Sequence, residues 1–379
     1  MNFRETFFQE LRTIFSDVAI VLTIIGGIIL YSFLYPQPYA QESVHSLRVS
    51  VVDLDRSDIS KEIRFKLNAT PQVVIARVDT SEKDAKKALL EGKVKAIIVI
   101  PHQFKQKLFQ HKSPTIAIGA DASYFLIYGG VLEAAMKSIL TESATLKIAK
   151  LMQKGVPLVK AKREYTPFKL NVINLFNKNN SYTQYVVPAV FVLILQQIML
   201  IGLGIIGGGV NERAYKNYNY ESSPLYVFVS RFIIFFVLFS IHLMFYFGFS
   251  FEYFHITHLA NLRDLLLFST MFLSASIFLG IFLGTLFSSR EMATPAILFS
   301  SLPLVFSAGF VWPLEALPKW LLFLSNLVPS TTAIEGFLKL NQMGASFDMV
   351  LNNYAILLIQ ATIYAILGYY FINKKRKKS

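Results

Sequence analysis

The segment from Leu279 to Leu340 decides the fold, and its sequence is LGIFLGTLFSSREMATPAILFSSLPLVFSAGFVWPLEALPKWLLFLSNLVPSTTAIEGFLKL. It starts as an apolar run without charges, turns at the polar residues Ser288–Glu291, and then becomes apolar again. This second run breaks at Ser307–Phe310 and leads into a proline-containing segment with a tryptophan near each end, Trp312–Trp320. Non-helical backbone at membrane depth is tolerated only where protein or a water-filled cavity satisfies its polar groups. The pattern therefore predicts that this segment builds part of a path through a bilayer.

The composition of the whole chain also indicates a membrane protein. Of its 379 residues, 54% are hydrophobic and 16% are charged, whereas soluble domains carry about 25% charged residues. Six stretches without Asp, Glu, Lys or Arg each contain the roughly 20 residues that cross a hydrocarbon core of ~30 Å. These stretches lie within Asp17–Glu42, Lys178–Glu212, Arg231–Glu252, Asp264–Arg290, Glu291–Glu315 and Asp348–Lys374.

This distribution predicts an α-helical polytopic membrane protein with six transmembrane helices, a re-entrant external segment and an inserted α/β extracytoplasmic domain. The predicted parts are a cytoplasmic N-terminal helix at 1–17, transmembrane helix one at 18–35, the α/β domain at 36–183, transmembrane helices two to six at 184–373, and a basic cytoplasmic tail at 374–379. Within the transmembrane part, residues 207–230 form a cytoplasmic loop and residues 311–349 form the re-entrant segment.

Basic residues at the end of the chain predict its orientation. Lys374, Lys375, Arg376, Lys377 and Lys378 follow the last predicted span, and such a cluster holds a C-terminus in the cytoplasm. Six spans then place the N-terminus on the same side. A topology anchor explains the basic tail, so we expect no nucleic-acid partner. The absence of cysteine excludes disulfides and thiol chemistry, and it fits a bacterial inner membrane.

Two interpretations fit residues 1–17. Apolar residues recur at helical spacing, which is typical of an amphipathic helix at the membrane interface. The same residues also fit a simple helical extension of the first span. The apolar positions are Phe3, Phe7, Leu11 and Ile14, and the charged positions elsewhere on the helix are Arg4, Glu5, Glu10 and Arg12.

The segment from Gln41 to about Asn180 alternates predicted strands and helices, which indicates a small α/β sheet. The predicted strands are Leu47–Leu54, Val73–Val78, Val94–Ile100 and Thr115–Gly119. Thr80 or Ser81 caps a helix that Gly92 ends. No metal-ligand spacing, nucleophile–base pair or phosphate-binding loop occurs in this segment. We expect it to bind a substrate or a partner, or to act as a rigid spacer.

Two short patterns outside this domain mimic ligand sites. Gly202-x-Gly204-x-x-Gly207 matches a dinucleotide fingerprint, but it ends a predicted transmembrane helix instead of following a strand. Close helix packing is the better interpretation, as it is for Gly280-x-x-x-Gly284. A pair of histidines, His255 and His258, lacks a third ligand nearby. The sequence therefore predicts no cofactor and no metal bound by this chain.

A set of motifs occurs in a fixed order along nearly the whole chain. They are Glu91-Gly92 to Pro101, Asp121-Ala122-Ser123, the entry into span two with Asn174, Tyr182, Val187 and Pro188, then Glu212-Arg213, Leu279-Gly280, Leu283-Gly284, Pro303, Ser307–Phe310, Pro313-Leu314-Glu315, Leu317-Pro318-x-Trp320 and Leu327-Val328-Pro329. In this order and spacing the sequence resembles the ABC-2 type permeases, the membrane subunits of type V ABC exporters. It is most similar to the branch with a large ectodomain between the first two spans.

The resemblance implies that the loop at 207–230 couples the chain to an ABC ATPase subunit. The implied coupling residues are Glu212, Arg213, Tyr215 and Lys216. Glu212-Arg213 matches the start of the family's Glu-Arg-Glu core, whereas Ala214-Tyr215-Lys216 departs from it. No Walker A motif occurs in the chain, so ATP and Mg²⁺ are expected on the partner ATPase, and the chain itself is not an enzyme. The residues alone also permit a plain hydrophilic loop.

The resemblance further implies an ATP-driven exporter built from two permease subunits, either two copies of this chain or one copy with a paralogous permease, and a periplasmic adaptor is a further candidate partner. We expect the external gate to include Ser307, Gly309, Phe310, Trp312, Pro313, Glu315, Pro318 and Trp320. The polar span residues Gln196, Gln197 and His242 either line the path or bond between helices. Because the spans are otherwise apolar, the predicted substrate is amphipathic, lipid-like or drug-like.

Two other classes of protein remain as alternatives. A secondary transporter usually shows ionisable groups within its spans and internal repeats, and neither is evident here. A membrane-anchored sensor or assembly factor would act through the ectodomain, but it would not need six spans or a broken external segment.

Overall fold

The computed structural model describes residues 2–39, 45–110, 112–120, 125–165, 175–177 and 181–376. The motif residues Asp121–Ser123 and Asn174 and the tail residues 377–379 lie outside these ranges. The chain divides into a membrane unit, Met1–Glu42 with Asn174–Ser379, and an inserted unit, Ser43–Ile173. Membrane-length helices in the first unit and a small sheet in the second confirm the predicted fold class.

The first helix, α1 (Phe3–Ser16), is separated from the first span. It starts with a capping box, in which the Asn2 side chain accepts from the Glu5 N–H and the Glu5 carboxylate accepts from the Asn2 N–H. It ends at Asp17, whose backbone is extended and whose side chain caps the next helix, α2 (Val18–Tyr39). Of the two interpretations for residues 1–17, the separate helix is therefore the observed one.

The inserted unit contains a four-stranded sheet in the order β2-β1-β3-β4, with β4 antiparallel to its neighbour and the other pairs parallel. Apolar residues of the two inner strands, such as Val49, Val51 and Ile98, are fully or almost fully buried under the helices. The predicted strand–helix alternation is confirmed. Its elements are β1 (Leu47–Asp53), α3 (Asp58–Asn68), β2 (Val73–Asp79), α4 (Glu82–Leu90), β3 (Ala96–Ile100), α5 (Phe104–Phe109), β4 (Ala117–Ala120), α6 (Phe125–Gln153) and α7 (Leu158–Tyr165).

The inserted unit is shorter than the predicted domain at 36–183, because both ends of that range pack within the membrane unit. The Tyr39 ring stacks on the Tyr182 ring with their centroids 6.2 Å apart. The Thr183 hydroxyl donates a hydrogen bond to the Tyr39 carbonyl oxygen. These contacts join the chain segment that leads to the inserted unit with the segment that follows it, and both segments belong to the membrane unit.

The remaining helices of the membrane unit are α8 (Val186–Asn211), α9 (Pro224–Tyr253), α10 (Leu262–Leu286), α11 (Arg290–Ser307), α12 (Lys319–Ser325), α13 (Pro329–Asn341) and α14 (Phe347–Arg376). Five helices of the described residues are long and apolar enough to cross a membrane, namely α2, α8, α9, α10 and α14. A bent pair, α12 and α13, forms a sixth candidate with an angle of 84° between its helices. This pair lies inside the predicted re-entrant segment at 311–349.

The predicted fifth span stays a prediction. It is present as the helix α11, but it is not one of the five candidate spans among the described residues. Arg290 and Glu291 occupy its first turn, and Pro295 and Pro303 lie inside it. Charged residues and prolines lower the mean hydropathy of the helix below that of its neighbours.

The predicted cytoplasmic loop at 207–230 is also too long at both ends. The helix α8 continues through its glycines to Asn211, and α9 already begins at Pro224. Glycine usually weakens a helix, but here its small size permits close packing. A Cβ atom on Gly207 would lie 2.5 Å from the backbone of Gly284. The loop between the two helices is therefore 212–223.

The helix α8 lies at the centre of the membrane unit, and nearly all of its side chains are buried. Its glycine motif faces three neighbours: a Cβ atom would lie 2.7 Å from Ile24 at Gly202, 2.9 Å from Ala293 at Gly204, and against α10 at Gly207. The predicted role of these glycines in close helix packing is confirmed. The dinucleotide interpretation is wrong, because the motif lies within one continuous helix.

Candidate functional site

The loop 212–223 presents three of the four implied coupling residues at the surface. The side chains of Glu212, Arg213 and Lys216 are exposed. The backbone of Arg213 is left-handed, with φ of 60°, and its guanidinium lies 5.6 Å from the centre of the Tyr220 ring. The chain therefore turns sharply just after α8, and it offers one acidic and two basic side chains on that turn.

The fourth implied coupling residue, Tyr215, points inward. Its ring is half-buried and packs against Gly209, where a Cβ atom would lie 2.7 Å from the ring. Its hydroxyl donates a hydrogen bond of 3.2 Å to the Asp17 carboxylate. Burial, followed by the negative charge of Asp17, raises the pKa of the Tyr215 phenol. Tyr215 consequently stays protonated and holds the loop against the start of the first span.

Asp17 joins three elements at this point. Its carboxylate accepts from the N–H of Ala19 at 3.0 Å and so caps α2. It also pairs with Arg290 at 2.8 Å, and Arg290 is the first residue of α11. The loop, the first span and α11 are therefore held together through one side chain.

A second cluster, centred on Tyr218, lies deeper in the same region. The Tyr218 hydroxyl donates to the Glu10 carboxylate, which also accepts from Arg231 Nε at 2.9 Å. Arg376 Nη2 lies 3.3 Å from the same hydroxyl. Glu10 and Arg231 are almost completely buried, and burial with the Glu10 charge raises the pKa of Tyr218. This cluster ties the loop to α1, α9 and α14.

A third anchor lies at the start of the loop. The Asn211 side-chain amide donates to the Phe287 carbonyl oxygen at 2.7 Å, which joins the end of α8 to the end of α10. The Asn219 N–H donates to Gln9 Oε1 at 3.1 Å. Asn211 therefore holds the end of α8 to the end of α10, and Asn219 holds the loop to α1.

Eight residues of this arrangement are not among the predicted coupling residues: Gln9, Glu10, Asp17, Asn211, Tyr218, Asn219, Arg231 and Arg290. In the sequence, Asp17, Arg231 and Arg290 mark only the ends of charge-free stretches. A useful signal was available, because a charge at the very end of a span needs water or an opposite charge. The partners themselves are far apart along the chain, so that signal does not pair them.

The structure divides the predicted external gate into a buried turn and an exposed arm. Ser307 and Phe310 are buried, and Gly309 between them has φ of +85°. A Cβ atom on Gly309 would lie 2.8 Å from the Leu314 side chain, so this turn depends on glycine. The exposed arm consists of Trp312, Pro313, Glu315, Pro318 and Trp320.

The three polar span residues occupy different environments. Gln196 is fully buried and bonds between helices: its Oε1 accepts from the Ser330 N–H at 2.7 Å, and its Nε2 donates to the Ser330 hydroxyl at 3.0 Å. It thereby caps α13 just after the bend. Gln197 and His242 are also buried, but the Gln197 amide and His242 Nδ1 have no hydrogen-bond partner among the described residues. Of the three residues, Gln197 and His242 are thus the two with buried polar atoms that lack a partner among the described residues.

In the described part of the chain, no group of three or more His, Asp or Glu side chains is arranged to hold a metal ion.

The profile of the family described as "ABC-2 family transporter protein" matches residues 18–370. No curated protein matches the chain. The matched range includes the inserted unit, the loop and the five candidate spans as far as residue 370, whereas α1 and Arg376 lie outside it. The chain therefore belongs to the ABC-2 family of transporter proteins.

Proposed function

We propose that the chain is the membrane subunit of an ATP-driven exporter, and that a separate ABC ATPase subunit binds the loop 212–223. The observation that carries this proposal is the two-sided construction of the loop. One side exposes Glu212, Arg213 and Lys216, and the other side is bonded inward through Tyr215 and Tyr218. A flexible connecting loop would not need two buried anchors.

The anchors give a route by which a docked ATPase acts on the spans. A displacement of the loop pulls on α2 and α11 through Asp17 and Arg290, and on α9 and α14 through Arg231 and Arg376. These bonds connect one surface to several helices without intervening flexible segments. Such a contiguous set of contacts is what coupling between two sites requires.

The complete transporter contains two permease subunits in this proposal, two copies of the chain or one copy with a paralogue, because one protomer supplies half a path. Both termini and the loop face the cytoplasm of a bacterial cell, since Lys374, Lys375 and Arg376 close the last span. The inserted unit then faces the other side, where a periplasmic adaptor can bind it. The helix α11 is the fifth crossing helix, and the pair α12 and α13 re-enters from outside.

The proposed substrate is an amphipathic, lipid-like or drug-like molecule that leaves the cytoplasm or the inner membrane. The spans are largely apolar, and Gln197 and His242 are among the buried polar groups available to its polar part. The exposed arm with Trp312 and Trp320 forms the outer exit, where aromatic side chains suit the membrane surface.

Co-purification with an ATPase tests the docking surface. We expect the tagged chain to retain an ABC ATPase, and the double variant Glu212→Ala with Arg213→Ala to lose it and to lose substrate-stimulated ATP hydrolysis. Glu221→Ala is the matched control, because it removes an exposed acid from the same loop outside the predicted coupling residues. Retention of the ATPase and full transport in the double variant would contradict the proposal.

A further inference from the structure

A cleft lies beside the loop, and its lining includes Asp17, Tyr215 and Lys216 of the arrangement described above. It is bounded by α1, the start of α2 and residues 214–218 of the loop, and its volume is about 1630 Å³. Ligand pockets commonly hold about 300–1000 Å³. The cleft is therefore large enough for a long molecule, and it opens where the first span begins.

One wall of the cleft is apolar and exposed. Phe8 and Phe15 lie two turns apart on the outer face of α1, and Phe8 is 55% exposed. Val18 and Leu22 continue this surface along the first turns of the span, and they are 78% and 69% exposed. Because α2 is a candidate membrane span, this wall runs from the membrane surface into the hydrocarbon layer.

The lining of the cleft also carries an excess of positive charge, because it contains Arg12, Lys216 and Arg290 against Glu5 and Asp17. Asp17 and Arg290 neutralise each other at 2.8 Å, and Glu5 accepts hydrogen bonds from Asn2 at the far end of α1. Arg12 and Lys216 also line the cleft and are exposed. Neither of these two cations forms an ion pair with another described residue.

The outer face of α1 combines both properties. Arg4, Phe8, Arg12 and Phe15 follow one another at a spacing of one turn, and all four are exposed. A helix face that alternates cations with aromatic rings is typical of binding to anionic membrane surfaces. The opposite face, with Thr6, Glu10 and Ile14, is buried in the protein. From this outer face, Phe8, Arg12 and Phe15 line the cleft.

We propose that this cleft binds one anionic phospholipid from the adjoining leaflet. Its phosphate lies between Arg12 and Lys216, and its acyl chains lie along Phe8, Phe15, Val18 and Leu22. A free anion would leave the apolar wall unused, and a neutral lipid would leave both cations without a partner. Because the cleft is also lined by Tyr215, the bound headgroup supports the anchored side of the loop. The proposal does not depend on the direction of transport or on an ATPase.

The absence of cysteine from the chain makes a direct test possible. In Val18→Cys the single thiol is labelled with bimane, and the full-length protein is reconstituted in phosphatidylcholine vesicles with a minor fraction of phosphatidylglycerol. Bromine is placed on the acyl chains of one lipid or the other. We expect brominated phosphatidylglycerol to quench the label more strongly than brominated phosphatidylcholine at equal mole fraction.

The variant Arg12→Gln with Lys216→Gln should lower this lipid preference by about 30-fold, the effect expected for two charges near an anionic surface. Lys374→Gln with Lys375→Gln is the matched control, because it removes two charges from the end of α14, and it should keep the preference. If the first pair of substitutions prevents folding, the quenching of the Val18→Cys protein is measured at increasing salt concentration instead. Salt screens exposed charges, so the preference for the anionic lipid should fall.

Two results would overturn the proposal. Equal quenching by the two lipids would show that the cleft has no preference for anionic headgroups. Absence of quenching by either lipid would show that protein covers the cleft, from a second copy of the chain or from an ATPase subunit.

Discussion

Charge pairs serve different purposes in the inserted unit and at the end of the membrane unit that carries the loop 212–223. In the inserted unit, Lys105 and Asp58 lie 2.6 Å apart, and both side chains are exposed. At the loop end, Arg231 and Glu10 are 5% and 0% exposed. Water screens the first pair, so it contributes little to stability. The folded protein needs the second pair to stay intact, because removal of either partner would leave the other as a buried, uncompensated charge.

The comparison shows where a membrane protein of this kind places its essential charges. The inserted unit has an apolar sheet core, and each of its ion pairs keeps at least one partner that is 24% exposed or more. The membrane unit has apolar surfaces everywhere, so apolar contact alone does not select one arrangement of its helix ends. Its few buried charges select that arrangement, and they are concentrated beside the loop.

The largest effect should come from breaking the buried pair. Glu10→Ala leaves Arg231 without its carboxylate and Tyr218 without its acceptor. We expect the free energy of unfolding to fall by about 3–5 kcal/mol, as for other buried pairs that lose one partner. Thermal unfolding of the detergent-solubilised protein, followed by circular dichroism, measures the change.

The control for this variant is Asp58→Ala, which removes the acid of the exposed pair in the inserted unit. It should leave the unfolding midpoint unchanged. If Glu10→Ala lowered the free energy of unfolding as little as Asp58→Ala does, the distinction between buried and exposed pairs would not hold for this protein.

A smaller change in the free energy of unfolding should follow when a glycine is replaced by alanine. The sign of this change should differ between the two units. Gly207→Ala places a Cβ atom 2.5 Å from the Gly284 backbone, and such overpacking costs about 1–3 kcal/mol. Gly129 lies in α6 of the inserted unit, and a Cβ atom there meets nothing within 4 Å. Gly129→Ala should stabilise the protein by about 0.5–1 kcal/mol, because alanine favours a helix. The same unfolding experiment compares the two, and a neutral Gly207→Ala would show that α8 and α10 can separate.

The smallest effect concerns acid sensitivity of the inserted unit. Burial alone would raise the pKa of Asp79, but hydrogen bonds from Ser50 at 2.7 Å and Arg77 at 2.8 Å lower it below its usual value. A carboxyl with a lower pKa in the folded state binds fewer protons there. Its stabilising contribution is therefore present above the unfolded-state pKa and is lost as pH falls through the folded-state pKa.

Hydrogen exchange of the β1 and β2 amides, measured in the full-length protein at several pH values, reports this loss. After correction for the intrinsic exchange rate, protection should decline in acid in the natural protein and change less with pH in Asp79→Asn. An identical pH dependence in both proteins would assign the acid sensitivity to other carboxyl groups.

Local signals were sufficient to predict the inserted unit. Ser81 caps α4 by accepting from the Lys83 N–H at 3.2 Å, and Gly92 ends the helix with φ of +71°. The strands are short apolar runs with turns between them. Each of these features depends on residues that are close in sequence, so the printed chain contains the information needed.

The loop end could be predicted only in part. The resemblance led to Glu212, Arg213 and Lys216, which lie on the surface of the loop. The anchors were missed because their partners are distant: Arg231 and Glu10 are 221 residues apart. The length of the loop is not predicted for a related reason, since the glycines before it pack against residues that are distant in sequence: Gly207 against Gly284, and Gly208 against Ser289.

The extended residue at Asp17 has a mechanical consequence for α1. Helical hydrogen bonds run separately before and after it, so a tilt of the first span in a thicker or thinner bilayer need not be copied by α1. The carboxylate of the same residue is held by Arg290 and Tyr215. The first span can therefore change its tilt at Asp17 while α1 keeps its position.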